Sequence, residues 1–115
     1  MKTIFVLDDD QDQAELLAEA LSSNLWRVRA FSDPIRALAA LNSDGTDLLI
    51  ADLSMPWIDG TEVVASARVK RPQLKVILVS GVEQGVEIAK RLGLTFFSKP
   101  VDLPRLREAA TQALV

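Results

Sequence analysis

Short apolar runs alternate with amphipathic segments along the whole chain, and this alternation predicts five strands and five helices. The predicted strands occupy residues 3–7, 26–31, 46–52, 74–81 and 94–100. The predicted helices occupy residues 13–25, 32–45, about 61–71, 82–93 and 101–115. Strands that are joined through helices by short connections are typical of a parallel sheet with helices on both faces. We therefore predict an α/β fold built on a doubly wound, five-stranded parallel sheet.

The strand patterns also predict which strands are buried. Residues 3–7 form an apolar run, which is typical of a strand covered on both faces, and residues 74–81 give the strongest strand signal in the chain. Residues 26–31 alternate between apolar and basic side chains, a pattern that favours a less buried edge strand.

Composition restricts the chemistry that such a fold could perform. The chain has 115 residues, which suits one domain, and it contains no cysteine and no histidine. Disulfides, thiolate metal sites and the usual general base are therefore excluded, and any metal must be held by oxygen, which favours Mg²⁺. The formal net charge of −3 gives no electrostatic reason to expect binding to nucleic acid or to a membrane. The first apolar stretch is too short for a signal peptide, so we expect a soluble, cytoplasmic protein.

Polar residues follow the predicted strands at the point where each strand ends. Asp8 and Asp9 follow the first strand, Asp52 ends the third, Ser80 lies at the end of the fourth and Lys99 at the end of the fifth. Ligands of open parallel sheets bind beyond these carboxyl ends. Clustered carboxylates repel one another unless a cation is present, and Mg²⁺ leaves room for phosphate oxygens. The set favours a site for Mg²⁺ and a transferred phosphoryl group, with a carboxylate as nucleophile.

The residues at the strand ends and two nearby acids also have ordinary structural interpretations, which are hardest to apply to Asp52. Asp10 and Asp12 suit the start of the first helix, where carboxylates are favourable, and we interpret them so rather than as ligands. Asp8 and Asp9 alone would fit a solvated turn, and Lys99 alone would fit the surface. Their position at one edge of the predicted sheet favours the functional interpretation.

Four motifs resemble the response-regulator receiver domain, the phospho-acceptor module of two-component signalling. They are "VLDDDQD", "LLIADLSMPWIDG", "VILVSG" and "FFSKP", and they occur in the family's order and spacing over the whole chain. The resemblance implies a flavodoxin-like (βα)5 fold with strand order 2-1-3-4-5. It also implies a single receiver domain over residues 1–115, either freestanding or cut from a longer regulator or hybrid kinase.

The resemblance assigns a role to each residue of the predicted site. Asp52 would accept the phosphoryl group, and Asp8, Asp9, Asp52 and the backbone carbonyl of Ser54 would hold Mg²⁺. Lys99 would pair with the phosphoryl group, and its peptide bond to the following proline would be cis.

The same resemblance implies a switch rather than an enzyme, with catalysis limited to self-phosphorylation and self-dephosphorylation. Ser80 would move toward the phosphoryl group and Phe96 would turn inward with it, which changes the surface of the fourth helix, fifth strand and fifth helix. The implied partners are a histidine kinase or phosphotransfer protein, and an output domain or partner protein.

The stretch between Ser80 and Lys99 is shorter than in typical receivers. It also places Gly85 and Gly93 in the predicted helix 82–93, and glycine in a helix interior costs about 1 kcal/mol. We therefore expect the fourth helix to be short or distorted.

Two other functions are consistent with the fold. One is a pseudo-receiver that only docks partners, although such a module would have no use for the complete set of acids, hydroxyl and lysine. The other is a small Mg²⁺-dependent phosphohydrolase, which would need a general acid near Asp52, where the sequence has Ser54.

Overall fold

The computed structural model describes residues 1–43, 45–52, 60–81 and 84–115, which form five strands and five helices in alternation. The strands are β1 (Lys2–Leu7), β2 (Trp26–Phe31), β3 (Leu48–Asp52), β4 (Lys75–Ser80) and β5 (Thr95–Ser98). The helices are α1 (Gln11–Ala20), α2 (Pro34–Ser43), α3 (Gly60–Lys70), α4 (Gln84–Leu92) and α5 (Leu103–Leu114). The predicted elements and their order are confirmed.

The five strands form one parallel sheet in the order β2-β1-β3-β4-β5. The predicted doubly wound, flavodoxin-like fold is therefore confirmed. The chain runs outward from β1 to β2 and then in the opposite direction from β3 to β5. The carboxyl ends of β1 and β3 thus flank the point where the winding reverses, which is where open α/β sheets bind ligands.

Alternate side chains of the central strands fill two separate core layers. Phe5 and Leu7 of β1 pack in the layer that contains buried residues of α2, α3 and α4. Ile4 and Val6 point the other way, into the layer that contains residues of α1 and α5. Burial of each such side chain contributes about 1.5–3 kcal/mol, so β1 is firmly held in place. The edge strand β2 is partly exposed, as its alternating sequence predicts.

Helix α1 begins directly beyond the end of β1. The Asp10 carboxylate accepts hydrogen bonds from the backbone N–H groups of Asp12 and Gln13, at 3.0 and 3.3 Å. This contact caps the helix, and Asp12 lies in its first turn, where a negative charge is favourable. The interpretation of Asp10 and Asp12 as helix-start residues is confirmed.

Helix α4 has nine residues, which confirms that it is short. The prediction that Gly93 weakens its interior is wrong, because Gly93 follows the last helical residue. Its φ of 68° is a left-handed conformation that glycine adopts without strain. Its N–H donates to the Lys90 carbonyl at 3.2 Å, so Gly93 ends the helix.

No helix within these four ranges is long and apolar enough to cross a membrane.

Candidate functional site

The strand register brings Asp8 and Asp52 side by side. Leu7 and Ala51 are paired between β1 and β3, and Asp8 and Asp52 are the next residues along each strand direction. Both carboxylates are buried, with exposed fractions of 1% and 3%. Two buried carboxylates on adjacent strands repel each other strongly unless positive charge is close.

Lys99 supplies part of that positive charge. Its Nζ donates to Asp8 Oδ2 at 3.1 Å and to Asp52 Oδ2 at 3.0 Å. Hydrogen bonds between ionised partners are stronger than neutral ones, so the ammonium group holds both carboxylates in place. The Lys99–Pro100 peptide bond is cis, as the resemblance implied.

Asp9 completes a cluster of three carboxylates. One oxygen each of Asp8, Asp9 and Asp52 lies within 4.8 Å of the others. Asp8 Oδ1 accepts the Asp10 backbone N–H at 3.0 Å, which fixes the orientation of that carboxylate. Three negative charges face one lysine, and every donor is an oxygen, so the cluster fits a hard divalent cation such as Mg²⁺. Ser54, the fourth expected ligand, lies outside the described residues.

Burial and the neighbouring charge both act on the protonation of this cluster. Burial raises the pKa of Asp8, and the negative charge of Asp52 raises it further. The hydrogen bond from the Asp10 N–H and the contact with Lys99 lower the pKa, but the net effect is a raised value. For Lys99, burial would lower the pKa, but its hydrogen bonds to Asp52 and Asp8 and their charges outweigh burial and raise it. The lysine is therefore held as a cation, whereas the site disfavours the ionised form of Asp8.

Asp8→Asn is expected to raise the free energy of unfolding at pH 7 in EDTA by about 0.5–2 kcal/mol, as single stabilising substitutions commonly do. The folded-state pKa of Asp8 lies above its ordinary value of 3.8, so the stability of the wild type falls as the pH rises from 3.8 through that raised pKa. Above that raised pKa the ionised Asp8 destabilises the folded protein, and a neutral amide removes this effect. Urea unfolding measures the difference.

Asp12→Asn is the matched control, because Asp12 is an exposed acid close to Asp8 in the sequence. It should change the stability by less than about 0.5 kcal/mol in either direction. Added Mg²⁺ should stabilise the wild type and the Asp12 variant but not Asp8→Asn. A destabilised Asp8→Asn protein in EDTA would contradict this account of the site.

Ser80 and Phe96 lie on the two strands next to the cluster. Ser80 ends β4 and is fully buried, and the half-buried Phe96 pairs with Leu78 across β4 and β5. The Lys99 backbone N–H donates to the Ser80 carbonyl at 3.0 Å, so the hydrogen bonding to β4 continues one residue past the end of β5. The carboxyl edge of the sheet thus brings together Asp8, Asp9, Asp52, Ser80 and Lys99.

Sequence reasoning missed one neighbour of these residues. Gly85 in α4 is buried against Phe96 and Ser80, whereas its sequence suggested only a weakened helix. A glycine in the first turn of a helix is the sign of this contact in the sequence, but the sequence does not show which residues pack against that glycine.

Comparisons with known proteins agree with this arrangement. Residues 4–111 match the model of the response regulator receiver domain. Sporulation initiation phosphotransferase F of Bacillus subtilis is 27% identical over 114 residues, which cover 96% of this chain and 92% of that protein. The response regulator TrrA of Thermotoga maritima, solved in complex with Mg²⁺–BeF, is 28% identical, with a TM-score of 0.85 over 98% of this chain and 99% of that one.

Other relatives are much longer than this chain. The C4-dicarboxylate transport transcriptional regulatory protein DctD of Rhizobium meliloti is 29% identical over 114 residues, or 96% of this chain. The chain spans only about a quarter of the length of that relative. The family match, the strand order and the acidic edge of the sheet agree, and this chain belongs to the response regulator receiver domain family.

Proposed function

We propose that this receiver accepts a phosphoryl group on Asp52 from the phosphohistidine of a histidine kinase or phosphotransfer protein. One observation carries the proposal: Lys99 contacts both Asp8 and Asp52 at the carboxyl ends of β1 and β3. A lysine held as a cation between two buried acids can also pair with a phosphoryl group that is attached to one of them.

Asp52 is the proposed nucleophile, because it is the carboxylate at the end of a buried strand beside that lysine. Its oxygen forms a bond to phosphorus while the bond between phosphorus and the imidazole nitrogen breaks. The electron pair of the broken bond stays with the imidazole. Lys99, already within hydrogen-bond distance of Asp52, balances negative charge on the phosphoryl oxygens.

The residues that would hold Mg²⁺ are Asp8, Asp9 and Asp52, together with the Ser54 carbonyl that the resemblance implies. When bound, the ion supplies positive charge to the phosphoryl oxygens. The Asp10 N–H orients Asp8 toward this role through its hydrogen bond. A cluster of only two acids would offer a divalent cation less charge and would bind it more weakly.

The phosphorylated state carries its signal through differential contacts. The acyl phosphate adds roughly two negative charges, by analogy with other phosphorylated side chains. Lys99 and the Ser80 hydroxyl gain favourable contacts only in that state, and Phe96 follows Ser80. This difference shifts a two-state equilibrium of the surface formed by α4, β5 and α5, which an output domain or partner protein would recognise.

Incubation with acetyl phosphate and Mg²⁺ is expected to add the mass of one phosphoryl group to the intact protein, and EDTA should prevent this gain. Intact-mass spectrometry measures both results. A protein that never gains the mass, over a range of acetyl phosphate concentrations, would favour the pseudo-receiver. Rapid turnover of added phosphate esters would favour the phosphohydrolase.

A further inference from the structure

The first turn of α4 lies directly against the ring of Phe96 at a single position, Gly85. Gly85 is buried, and a Cβ built on it would lie 2.7 Å from Phe96 Cε2 and 3.2 Å from Cζ. The same Cβ would lie 3.0 Å from the Cβ of Ser80. The backbone of α4, the aromatic ring and the serine thus meet around a space too small for one methyl group.

The three neighbours differ in how easily they could move. Ser80 is fully buried at the end of β4, where it pairs with Ser98 of β5, so its Cβ cannot move without moving the strand. Phe96 lies on the edge strand β5 and is only half buried, so its ring can rotate about χ1 toward solvent. A side chain at position 85 would therefore displace the ring from Ser80 or lift α4 from the sheet.

We propose that Gly85 is a positioning residue for the switch. Its missing side chain leaves the space in which the Phe96 ring lies beside Ser80, so that the ring and α4 occupy this arrangement together or leave it together. The inference rests on the proposed function, in which Ser80 and Phe96 respond to the phosphoryl group on Asp52. Helix propensity alone would favour alanine at position 85, because alanine is the better helix former. The contact with the ring gives a reason for glycine there.

A double-mutant cycle of Gly85→Ala and Phe96→Ala tests the contact. Gly85→Ala alone is expected to lower Tm by about 4 °C or more, because overpacking outweighs the gain in helix propensity. In the Phe96→Ala background, at least half of that loss should disappear. Gly81→Ala is the matched control and should change Tm little, since among the described residues, chain neighbours apart, a Cβ at Gly81 would come near Lys99 Cβ alone, at 4.0 Å.

Where the variants can be purified, either of two outcomes would overturn the contact. One is an unchanged or raised Tm for Gly85→Ala, and the other is a loss of the same size with and without the Phe96 ring. If Gly85→Ala is too unstable to purify, the double variant must recover a folded protein, and a double variant that is equally unstable also overturns it.

Affinity for beryllium fluoride in the presence of Mg²⁺ tests the link to the switch. The proposed function has Phe96 inward, beside Ser80, in the phosphorylated state, and a Cβ at position 85 would push the ring out of that place. Gly85→Ala should therefore weaken binding about fivefold or more, because the inward arrangement is less populated. The Phe96→Ala background should remove most of this difference. If Gly85→Ala binds as tightly as Gly81→Ala, the positioning role is wrong. If the wild type itself does not bind, the proposed function fails, whereas the Tm cycle still decides whether Gly85 accommodates the ring.

Discussion

Replacing Lys99 by methionine is expected to lower the free energy of unfolding by about 2–3 kcal/mol at pH 7 in EDTA. Methionine keeps most of the side-chain volume but leaves Asp8 and Asp52, both almost fully buried, without the ammonium group that contacts them. Removing one partner of a buried ion pair typically costs about 3–5 kcal/mol, and the partial exposure of Lys99 reduces this value. Urea unfolding measures the loss.

Lys75→Met is the matched control, since Lys75 is an exposed lysine at the opposite end of the sheet. It should change the stability by less than about 0.5 kcal/mol. Added Mg²⁺ should restore part of the stability of Lys99→Met, because the cation replaces the missing positive charge. Equal stability of the two variants in EDTA would show that Lys99 does not neutralise the acids.

Replacing Asp52 by asparagine is expected to reduce phosphorylation by acetyl phosphate at least about 100-fold. The amide keeps the shape of the side chain, but it lacks the negative oxygen that attacks phosphorus. Mg²⁺-dependent binding of beryllium fluoride should be lost for the same reason. Intact mass measures the first effect, and ¹⁹F NMR of bound fluoride measures the second.

Asp33→Asn controls for the general effect of removing an acid beyond a strand end. Asp33 follows the edge strand β2, and its Oδ1 accepts the Ile35 N–H at 2.9 Å, which asparagine can also do. This variant should be phosphorylated at close to the wild-type rate. Phosphorylation of Asp52→Asn at that rate would place the acceptor on another residue.

The sequence predicted the fold well because its strands differ clearly in their patterns. The run at residues 3–7 is buried on both faces in β1, and the alternating residues 26–31 form the edge strand β2 with those bounds. The acidic edge was predictable for a related reason. The carboxyl ends of parallel strands meet at one edge, and the strand order that the resemblance implied makes β1 and β3 neighbours, so Asp8 and Asp52 were expected to lie side by side.

Other features depend on contacts between residues that are distant in the sequence. The resemblance implied that Lys99 would pair with a phosphoryl group, and a lysine can equally pair with a carboxylate, but the sequence did not show that Lys99 would bridge Asp8 and Asp52. Gly85 and Gly93 both looked like helix-weakening residues. Gly85 instead lies against the Phe96 ring, and Gly93 ends α4 in a left-handed conformation. The two roles become distinct only when the end of α4 and its packing on β5 are known.

Locating the phosphoryl group on the chain tests the central claim most directly. Borohydride reduces an aspartyl phosphate to homoserine, so treatment after incubation with acetyl phosphate and Mg²⁺ marks the acceptor permanently. Peptide mapping by tandem mass spectrometry then locates the mark. We expect homoserine at position 52 alone, and none when EDTA is present. Homoserine at Asp8 or Asp9, or none at position 52 in a protein that has gained the phosphoryl mass, would contradict the account.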